Sequence, residues 1–301
     1  MTREQLIKNL ERPEGPVDAV LDTDAYNEVD DQYAIAYMLK SSDKINTRAI
    51  FAAPFLNEKS TSPEDGMKKS YNEILNLLSL MDMDNFKSKV YEGSREYLKN
   101  EETPVISPAA EKLCEIAGEY SPENPLYVVA IGAITNVASA LLIDPSIKEN
   151  IVVVWLGGHA QHWPDNNEFN AMQDVAAQRV VFGCGVPLVQ FPCMGVVSGF
   201  RISEDDLKTW LLGKNPLCNY VVEHTMNDMR HLNGMPWSRV IWDVTAVSWL
   251  TGEYNCSRIV PSPIPEYDNT LSYDDSRHPI RYVFDIWRDE LVRDLFKKLT
   301  E

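Results

Sequence analysis

A cluster of acidic side chains near the start of the chain has the residue types and spacing to bind a metal ion. Five carboxylates stand within the ten residues 22–31, directly after a short apolar run, residues 17–21, that is typical of a buried strand. Carboxylates this close raise one another's pKa, so burying them is costly unless a cation or hydrogen bonds offset the charge. Oxygen-only ligands favour a hard cation, calcium or magnesium, over zinc. The segment therefore predicts a metal site.

The residues on either side of the cluster show how the fold would position it. Residues 32–39 have the apolar spacing of a helix, which places Asp30 and Asp31 at a helix N-terminus, where the peptide dipoles favour negative charge. The loop then joins the carboxyl end of a strand to the amino end of a helix, and ligands bind at this place in open α/β sheets. An isolated acidic loop is more often a solvated turn. Here the predicted strand before the loop and the predicted helix after it favour a metal site instead.

Three familiar acidic motifs do not fit the segment. A calcium-binding EF-hand loop needs glycine at its sixth position and glutamate at its twelfth, but counted from Asp22 these places hold Asn27 and Tyr33. Phosphatases of the haloacid-dehalogenase type follow Asp-x-Asp with a small residue and threonine, whereas Ala25 and Tyr26 follow here. The aspartate-rich motif of prenyl synthases lies within a helix, and this one follows a strand.

The remaining pattern predicts an α/β fold. Strands are expected at residues 17–22, 47–53, 126–131, 151–156 and 188–191. Helices are expected between them and, after about residue 200, at residues 203–212, 216–231 and 244–250. The alternation predicts a mainly parallel sheet flanked by helices, with a helical C-terminal part and a loop at residues 260–268. No linker or repeat divides the chain, so one domain is expected over residues 1–301.

Composition narrows the partners and the location. The net charge of −17 argues against nucleic acid or an anionic membrane as the partner and favours a small neutral molecule. The five cysteines form no Cys-x-x-Cys pair, which argues against a disulfide framework or a thiolate zinc site. No apolar segment is long enough to span a bilayer. A cytoplasmic homo-oligomer is therefore expected.

Five segments, in order along the chain, resemble one known family. They are the loop at residues 22–31, Val90-Tyr91-Glu92-Gly93-Ser94, residues 130–138 with Gly132 and Thr135-Asn136, residues 155–177 with Gly157-Gly158 and Glu168-Phe169-Asn170, and residues 241–246 around Asp243. In this order they are similar to the inosine-uridine nucleoside hydrolase family, in the branch with an Asn-Glu-x insertion before the Asp-Asp pair.

The resemblance implies a nucleoside hydrolase-like fold and a calcium-dependent hydrolase that cleaves the N-glycosidic bond of a ribonucleoside or related riboside. In that chemistry Ca²⁺ holds the attacking water and a carboxylate takes its proton. The resemblance makes Asp24 both a calcium ligand and the general base. It makes Asp31, Asp243 and the Thr135 carbonyl further ligands, with Asp22 supporting the metal site.

The same resemblance assigns the residues that bind the sugar. Asp30 would bind the ribose hydroxyls, and Glu168 and Asn170 would hold the other face of the sugar. Without the resemblance, the interpretation of Glu168 and Asn170 would be a loop with capping roles.

Two departures from the family bear on the leaving group. Trp242 stands where many members have a histidine that protonates the departing base, and an indole can stack on a ring but cannot act as an acid. Pro54 stands near the place of a family asparagine. His162 is the first candidate for a replacement acid because it lies between two matching segments. The other candidates are His224, His231 and His278.

Two alternatives stay open. The first is a hydrolase of another glycoside on the same fold, whose leaving group needs no histidine. The second is a non-catalytic, calcium-dependent protein that binds a sugar or nucleoside. The intact set of aspartates favours catalysis, whereas the missing histidine favours binding.

Overall fold

A central, mainly parallel sheet organises the structure, a computed structural model that describes residues 1–232 and 234–301. The strands are β1 (Val17–Thr23), β2 (Ile45–Ala52), β3 (Val90–Glu92), β4 (Leu126–Ala130), β5 (Ile151–Leu156), β6 (Leu188–Phe191), β7 (Arg201–Ser203), β8 (Ser238–Val240), β9 (Asn255–Pro261), β10 (Ile264–Pro265), β11 (Leu271–Ser272) and β12 (Pro279–Ile286). Eight of them form the main sheet, and β7 with β8 and β10 with β11 form two small antiparallel pairs.

Helices cover the sheet. They are α1 (Arg3–Asn9), α2 (Asp30–Lys40), α3 (Pro63–Leu80), α4 (Pro108–Ala117), α5 (Thr135–Ile143), α6 (Phe169–Gln173), α7 (Val175–Gly183), α8 (Glu204–Trp210), α9 (Pro216–Asp228), α10 (Val244–Thr251) and α11 (Arg288–Thr300). Short 3₁₀ helices stand at Asp84–Lys89, Pro145–Glu149, Val197–Gly199 and Arg230–Leu232.

The strand order explains where a ligand can bind. The main sheet runs β3-β2-β1-β4-β5-β6-β12-β9, and its neighbouring strands are parallel except for the antiparallel pair β12 and β9. The chain builds outward from β1 towards one edge and from β4 towards the other, so the order reverses between these two strands. In open α/β sheets the crevice beyond the carboxyl ends at such a reversal holds the ligand.

Two apolar clusters, one on each face, hold the sheet in place. Along β4, Val128 packs into one cluster and the next residue, Val129, into the other, and both are fully buried. Val20 and Leu21 on β1 divide in the same way. Strands that are buried on both faces are continuous apolar runs, and this is why the sequence revealed them.

The predicted elements are confirmed with small changes at their ends. Strands β5 and β6 have the predicted bounds, and α8 begins with a capping box in which Ser203 and Asp206 exchange side-chain and backbone hydrogen bonds. The C-terminal part is helical over α8 to α11 but also returns two strands, β12 and β9, to the main sheet. Residues 260–268, predicted as a loop, include the end of β9 and all of β10.

Among residues 1–232 and 234–301, no helix has the length and apolar character needed to cross a membrane. All five cysteines lie in these ranges, and each has a free thiol.

Candidate active site

A polar pocket of about 260 Å³ lies at the carboxyl edge of the sheet, beside the reversal between β1 and β4. Its walls come from the loop after β1 and the start of α2, from the ends of β4 and β5 and the residues that follow them, from the start of α6, from the segment after β6, and from β8 and the segment that leads to α10. The carboxylates among its lining residues are Asp24, Glu28, Asp30, Asp31, Glu168 and Asp243. The acidic loop predicted as a site therefore does face a cavity at the expected edge of the sheet.

The loop between β1 and α2 holds its aspartates in fixed positions. Asp24 Oδ2 accepts a hydrogen bond from Asn27 Nδ2 at 3.1 Å, which tightens the turn. Asp30 and Asp31 occupy the first turn of α2, as predicted, where the helix dipole favours carboxylates. The Thr23 hydroxyl at the end of β1 donates to Asp31 Oδ1 and thereby orients that carboxylate.

Three of these carboxylates meet across a long sequence separation. Oxygens of Asp30, Asp31 and Asp243 lie within 4.8 Å of one another, although Asp243 stands at the start of α10. Burial raises the pKa of Asp24, Asp31 and Asp243 well above the ordinary value, and the neighbouring carboxylates raise it further. Burial also raises the pKa of Asp30 to about 7.

This donor set fits a hard divalent cation. Among the described residues, the buried Asp30 Oδ1 has no hydrogen-bond partner, and the pocket lining contains one guanidinium, Arg239. Arg239 Nη2 is already paired with Glu28 Oε1 at 3.1 Å. Clustered carboxylate oxygens without a matching number of cations are the arrangement that calcium or magnesium completes.

The structure divides the predicted metal ligands into two groups. Asp24, Asp31 and Asp243 line the pocket. Asp22 and Thr135 are buried but are not among the lining residues. Asp22 Oδ1 accepts a hydrogen bond from Asn136 Nδ2 at 2.7 Å, and the Thr135 hydroxyl donates to Asp174 Oδ2 at 2.7 Å. The prediction that the Thr135 carbonyl binds a metal stays a prediction.

The hydrogen bonds of Asn136 explain the structural role of the Thr-Asn motif. Besides holding Asp22, its amide oxygen accepts a hydrogen bond from the Ser94 backbone at 2.7 Å, and its amide nitrogen donates to the Ala52 carbonyl at 3.3 Å. One side chain therefore ties the carboxyl ends of β1, β2 and β3 together. A Cβ added to Gly132 would stand 3.1 Å from Asp24 Oδ1, so a side chain there would crowd the aspartate.

Glu168 and Asn170 line the pocket, but both also support its backbone. Glu168 caps α6, and its oxygens accept hydrogen bonds from the backbone N–H groups of Asn170 and Ala171 at 3.0 Å each and of Gly158 at 2.9 Å. The Asn170 amide nitrogen donates to the Ile131 carbonyl just beyond β4 and to the carbonyl of Leu156, the last residue of β5. The capping role weighed against sugar binding is present, and the pocket position stays compatible with both.

Of the histidines, the structure places His159 and not the candidate acid His162 among the described residues that line the pocket, and the acid role of His162 stays a prediction. His162 is exposed and lines a separate cavity with Arg258, Tyr282 and Phe284. His224 and His278 line two further cavities, and His231 is exposed. Because the loop after β5 turns sharply at Gly158, which has a φ of 74°, the ring three residues earlier, His159, faces the pocket instead.

Several pocket residues were missed from the sequence. They are Asn27, Glu28, His159, Asn167, Cys193, Met194 and Arg239. His159 follows the rule that identified the aspartates, since it stands shortly beyond the carboxyl end of β5, whereas Arg239 is the middle residue of β8, outside the main sheet. Trp242, which precedes Asp243, does line the pocket as predicted.

The fold and the pocket define an α/β protein with a buried carboxylate site at the reversal of a parallel sheet. The chain belongs to the inosine-uridine preferring nucleoside hydrolase family, whose model matches residues 19–270.

Individual relatives are distant. A pyrimidine-specific ribonucleoside hydrolase RihA from Escherichia coli (strain SMS-3-5 / SECEC) is 27% identical over 147 residues, which cover 47% of this chain and 45% of that protein. The chain therefore spans about half the length of the curated relatives it matches.

Solved structures agree over nearly the whole chain. A plant nucleoside hydrolase, PpNRh1, has a TM-score of 0.76 at 16% identity and covers 95% of this chain and 99% of its own. The type III effector protein XopQ, solved with adenosine diphosphate ribose, has a TM-score of 0.66 at 14% identity. The match covers 100% of this chain and 99% of the XopQ chain. At such identities the likeness establishes the fold.

Proposed function

We propose that the protein is a calcium-dependent hydrolase that cleaves the N-glycosidic bond of a ribonucleoside or related riboside. The observation that carries the proposal is the convergence of Asp24, Asp31 and Asp243, from both ends of the chain, on one buried pocket. Membership of the nucleoside hydrolase family supports the bond that is cleaved.

The residues that would hold calcium are Asp24, Asp31 and Asp243, with the Thr135 carbonyl as a further proposed ligand and Asp22 supporting the site. When bound, the ion orients a water molecule and lowers its pKa. Calcium is preferred to magnesium because a site made only of protein oxygens suits a cation that accepts six to eight ligands.

Different side chains of the protein then carry out different parts of the reaction. Asp24 accepts the proton of the attacking water, and Asn27 keeps its carboxylate aimed into the pocket. Asp30 accepts hydrogen bonds from the ribose hydroxyls through Oδ1, which has no partner among the described residues. Glu168 and Asn170, which also line the pocket, hold the other face of the sugar. Positive charge develops on the sugar as the bond breaks, and the surrounding carboxylates stabilise it.

Release of free ribose from a panel of ribosides tests the proposal. The panel includes inosine, uridine and p-nitrophenyl riboside; adenosine diphosphate ribose, with which XopQ was solved, is assayed by release of adenine instead, because its ribose stays attached to the diphosphate. Asp24→Asn should keep the fold and reduce kcat by about 10²–10⁴-fold, since it preserves shape but removes the base. Asp205→Asn, an exposed aspartate on α8, is the matched control and should keep full activity.

The outcomes separate the alternatives. Ribose release that is lost with a calcium chelator and restored by calcium supports the proposal. A protein that binds calcium and is thermally stabilised by ribosides without turnover is the sugar-binding alternative. Turnover that Asp24→Asn leaves unchanged contradicts the assignment of the base.

A homo-oligomeric state and a cytoplasmic location belong to the same proposal. Sedimentation velocity and cell fractionation test them.

A further inference from the structure

The charges around the pocket are strongly unequal. Six carboxylates line it, and among the described lining residues one guanidinium opposes them. That guanidinium, Arg239, is paired with Glu28 at 3.1 Å, and Asp228 Oδ2 lies 3.9 Å away. Even with a divalent cation bound, acidic groups stay in excess. A pocket lined by one sign of charge concentrates ligands of the opposite sign.

The aromatic wall of the pocket suits a cation as well. Trp242 is half-buried and lines the pocket at the place where many family members have a histidine. The face of an indole attracts a cation within about 6 Å, whereas its ring nitrogen cannot protonate a leaving group. The substitution therefore removes an acid and adds a surface that binds positive charge.

The histidine in the pocket does not restore the missing acid. The backbone N–H of Met194 donates to His159 Nδ1 at 3.3 Å, so in the neutral ring the proton lies on Nε2. Burial also lowers the pKa of His159. His159 therefore faces the pocket as a neutral hydrogen-bond donor.

We propose that the preferred substrates are ribosides whose leaving group carries a fixed positive charge, such as N-ribosylpyridinium and N7-alkylated purine ribosides. This inference rests on the proposed function and replaces the neutral substrate expected from composition.

The chemistry balances without an acid. The water oxygen forms a bond to C1′ of the ribose while the C1′–N bond breaks, and the electron pair of that bond neutralises the ring nitrogen. The base leaves as a neutral molecule, and the proton of the water passes to Asp24 and then to solvent. A neutral purine would need a proton at this step.

A pair of ligands of similar shape tests the charge preference. The cation is N-ribosyl-3-carbamoylpyridinium, and the neutral partner is the corresponding N-ribosylpyridone. Calorimetry on Asp24→Asn, in which turnover is slowed by about 10²–10⁴-fold, should give a Kd lower for the cation by about 2- to 30-fold, the range of one cation–π contact. Raising the salt from about 0.05 M to about 0.5 M should reduce the ratio, because ionic strength screens charge.

Turnover gives the second measurement. The wild-type kcat/KM for the pyridinium riboside should exceed that for inosine by at least about 10²-fold, the lower range of general-acid assistance.

Variants of the tryptophan test its role in binding. In the Asp24→Asn background, Trp242→Leu should lower the ratio of Kd values towards the part that the remaining carboxylates supply, and Trp242→Phe should keep more of the preference. The exposed Trp210, replaced by leucine on α8, is the matched control and should leave the ratio unchanged.

Failure of this inference and failure of the proposed function give different experimental results. Inosine turned over as fast as the cation, with equal binding of the matched pair, overturns this inference and leaves the proposed function standing. Preferential binding of the cation without any ribose release supports the pocket preference and contradicts the proposed function. Binding of neither ligand, or a preference that Trp242→Leu leaves undiminished, overturns the inference.

Discussion

Asp22 offers a direct measurement of what the buried acidic cluster costs in stability. It is fully buried at the end of β1, where Oδ1 accepts a hydrogen bond from Asn136 and Oδ2 has no partner among the described residues. Burial raises its pKa to about 7, and no neighbouring carboxylate contributes to that shift. Asp22→Asn keeps an oxygen for Asn136 and removes the charge, so the substitution isolates the charge from the shape.

The sign of the effect follows from proton binding. Between about pH 4 and about pH 7 the folded protein keeps a proton on Asp22 that the unfolded chain has lost, so the free energy of unfolding falls as the pH rises. The whole shift from 3.8 to about 7 corresponds to about 4 kcal/mol, and about 3 kcal/mol of it falls between about pH 5 and about pH 8. The amide that replaces the carboxyl group in Asp22→Asn does not titrate, so the variant escapes this loss.

Guanidinium denaturation of wild type and Asp22→Asn, at both pH values and with a chelator present, measures the effect. The variant should gain about 3 kcal/mol relative to wild type on going from about pH 5 to about pH 8. The extra buried N–H of the amide costs about 1–3 kcal/mol at either pH and therefore cancels in this difference. Asp205→Asn should show no such change. Parallel pH profiles for wild type and Asp22→Asn would refute the reasoning.

Four further predictions follow from the site. Asp243→Ala should raise the calcium concentration needed for half-maximal thermal stabilisation by at least about tenfold, because it removes one carboxylate ligand; a calcium titration of the melting temperature measures this. His162→Ala should leave kcat unchanged in the ribose-release assay, because the ring lines another cavity. Trp242→His should raise the kcat/KM for inosine and narrow its gap to p-nitrophenyl riboside, since it supplies an acid. Asn170→Ala should lower the free energy of unfolding by about 1–3 kcal/mol in denaturant titrations, because two buried carbonyls lose their donor.

The parts of the fold that depend on local patterns could be predicted from the sequence. Strands β4 and β5 are buried on both faces, so they are apolar runs that periodicity identifies. Strand β12 was missed because it is only partly such a run. It carries Arg281 in its interior and exposes its last residues, and it joins the sheet between β6 and β9 through contacts that no local pattern records.

The difference between local patterns and long-range contacts also explains which site residues could be predicted from the sequence. Asp24, Asp30 and Asp31 were predictable because a strand end and a helix start, both readable locally, fix their direction. Whether His159 or His162 faces the pocket depends on the turn at Gly158 and on the neighbouring segment, in which the Met194 N–H donates to His159. Spacing along the chain could not predict which of the two histidines does so. Arg239 needs the pairing of β8 with β7 to bring it opposite Glu28. In the proposed function, these long-range positions are the ones that face the leaving group, because the family motifs are expected to surround the sugar and metal. The residues proposed to select the substrate therefore lie where sequence patterns are least informative, and the charge and geometry of the folded pocket have to identify them.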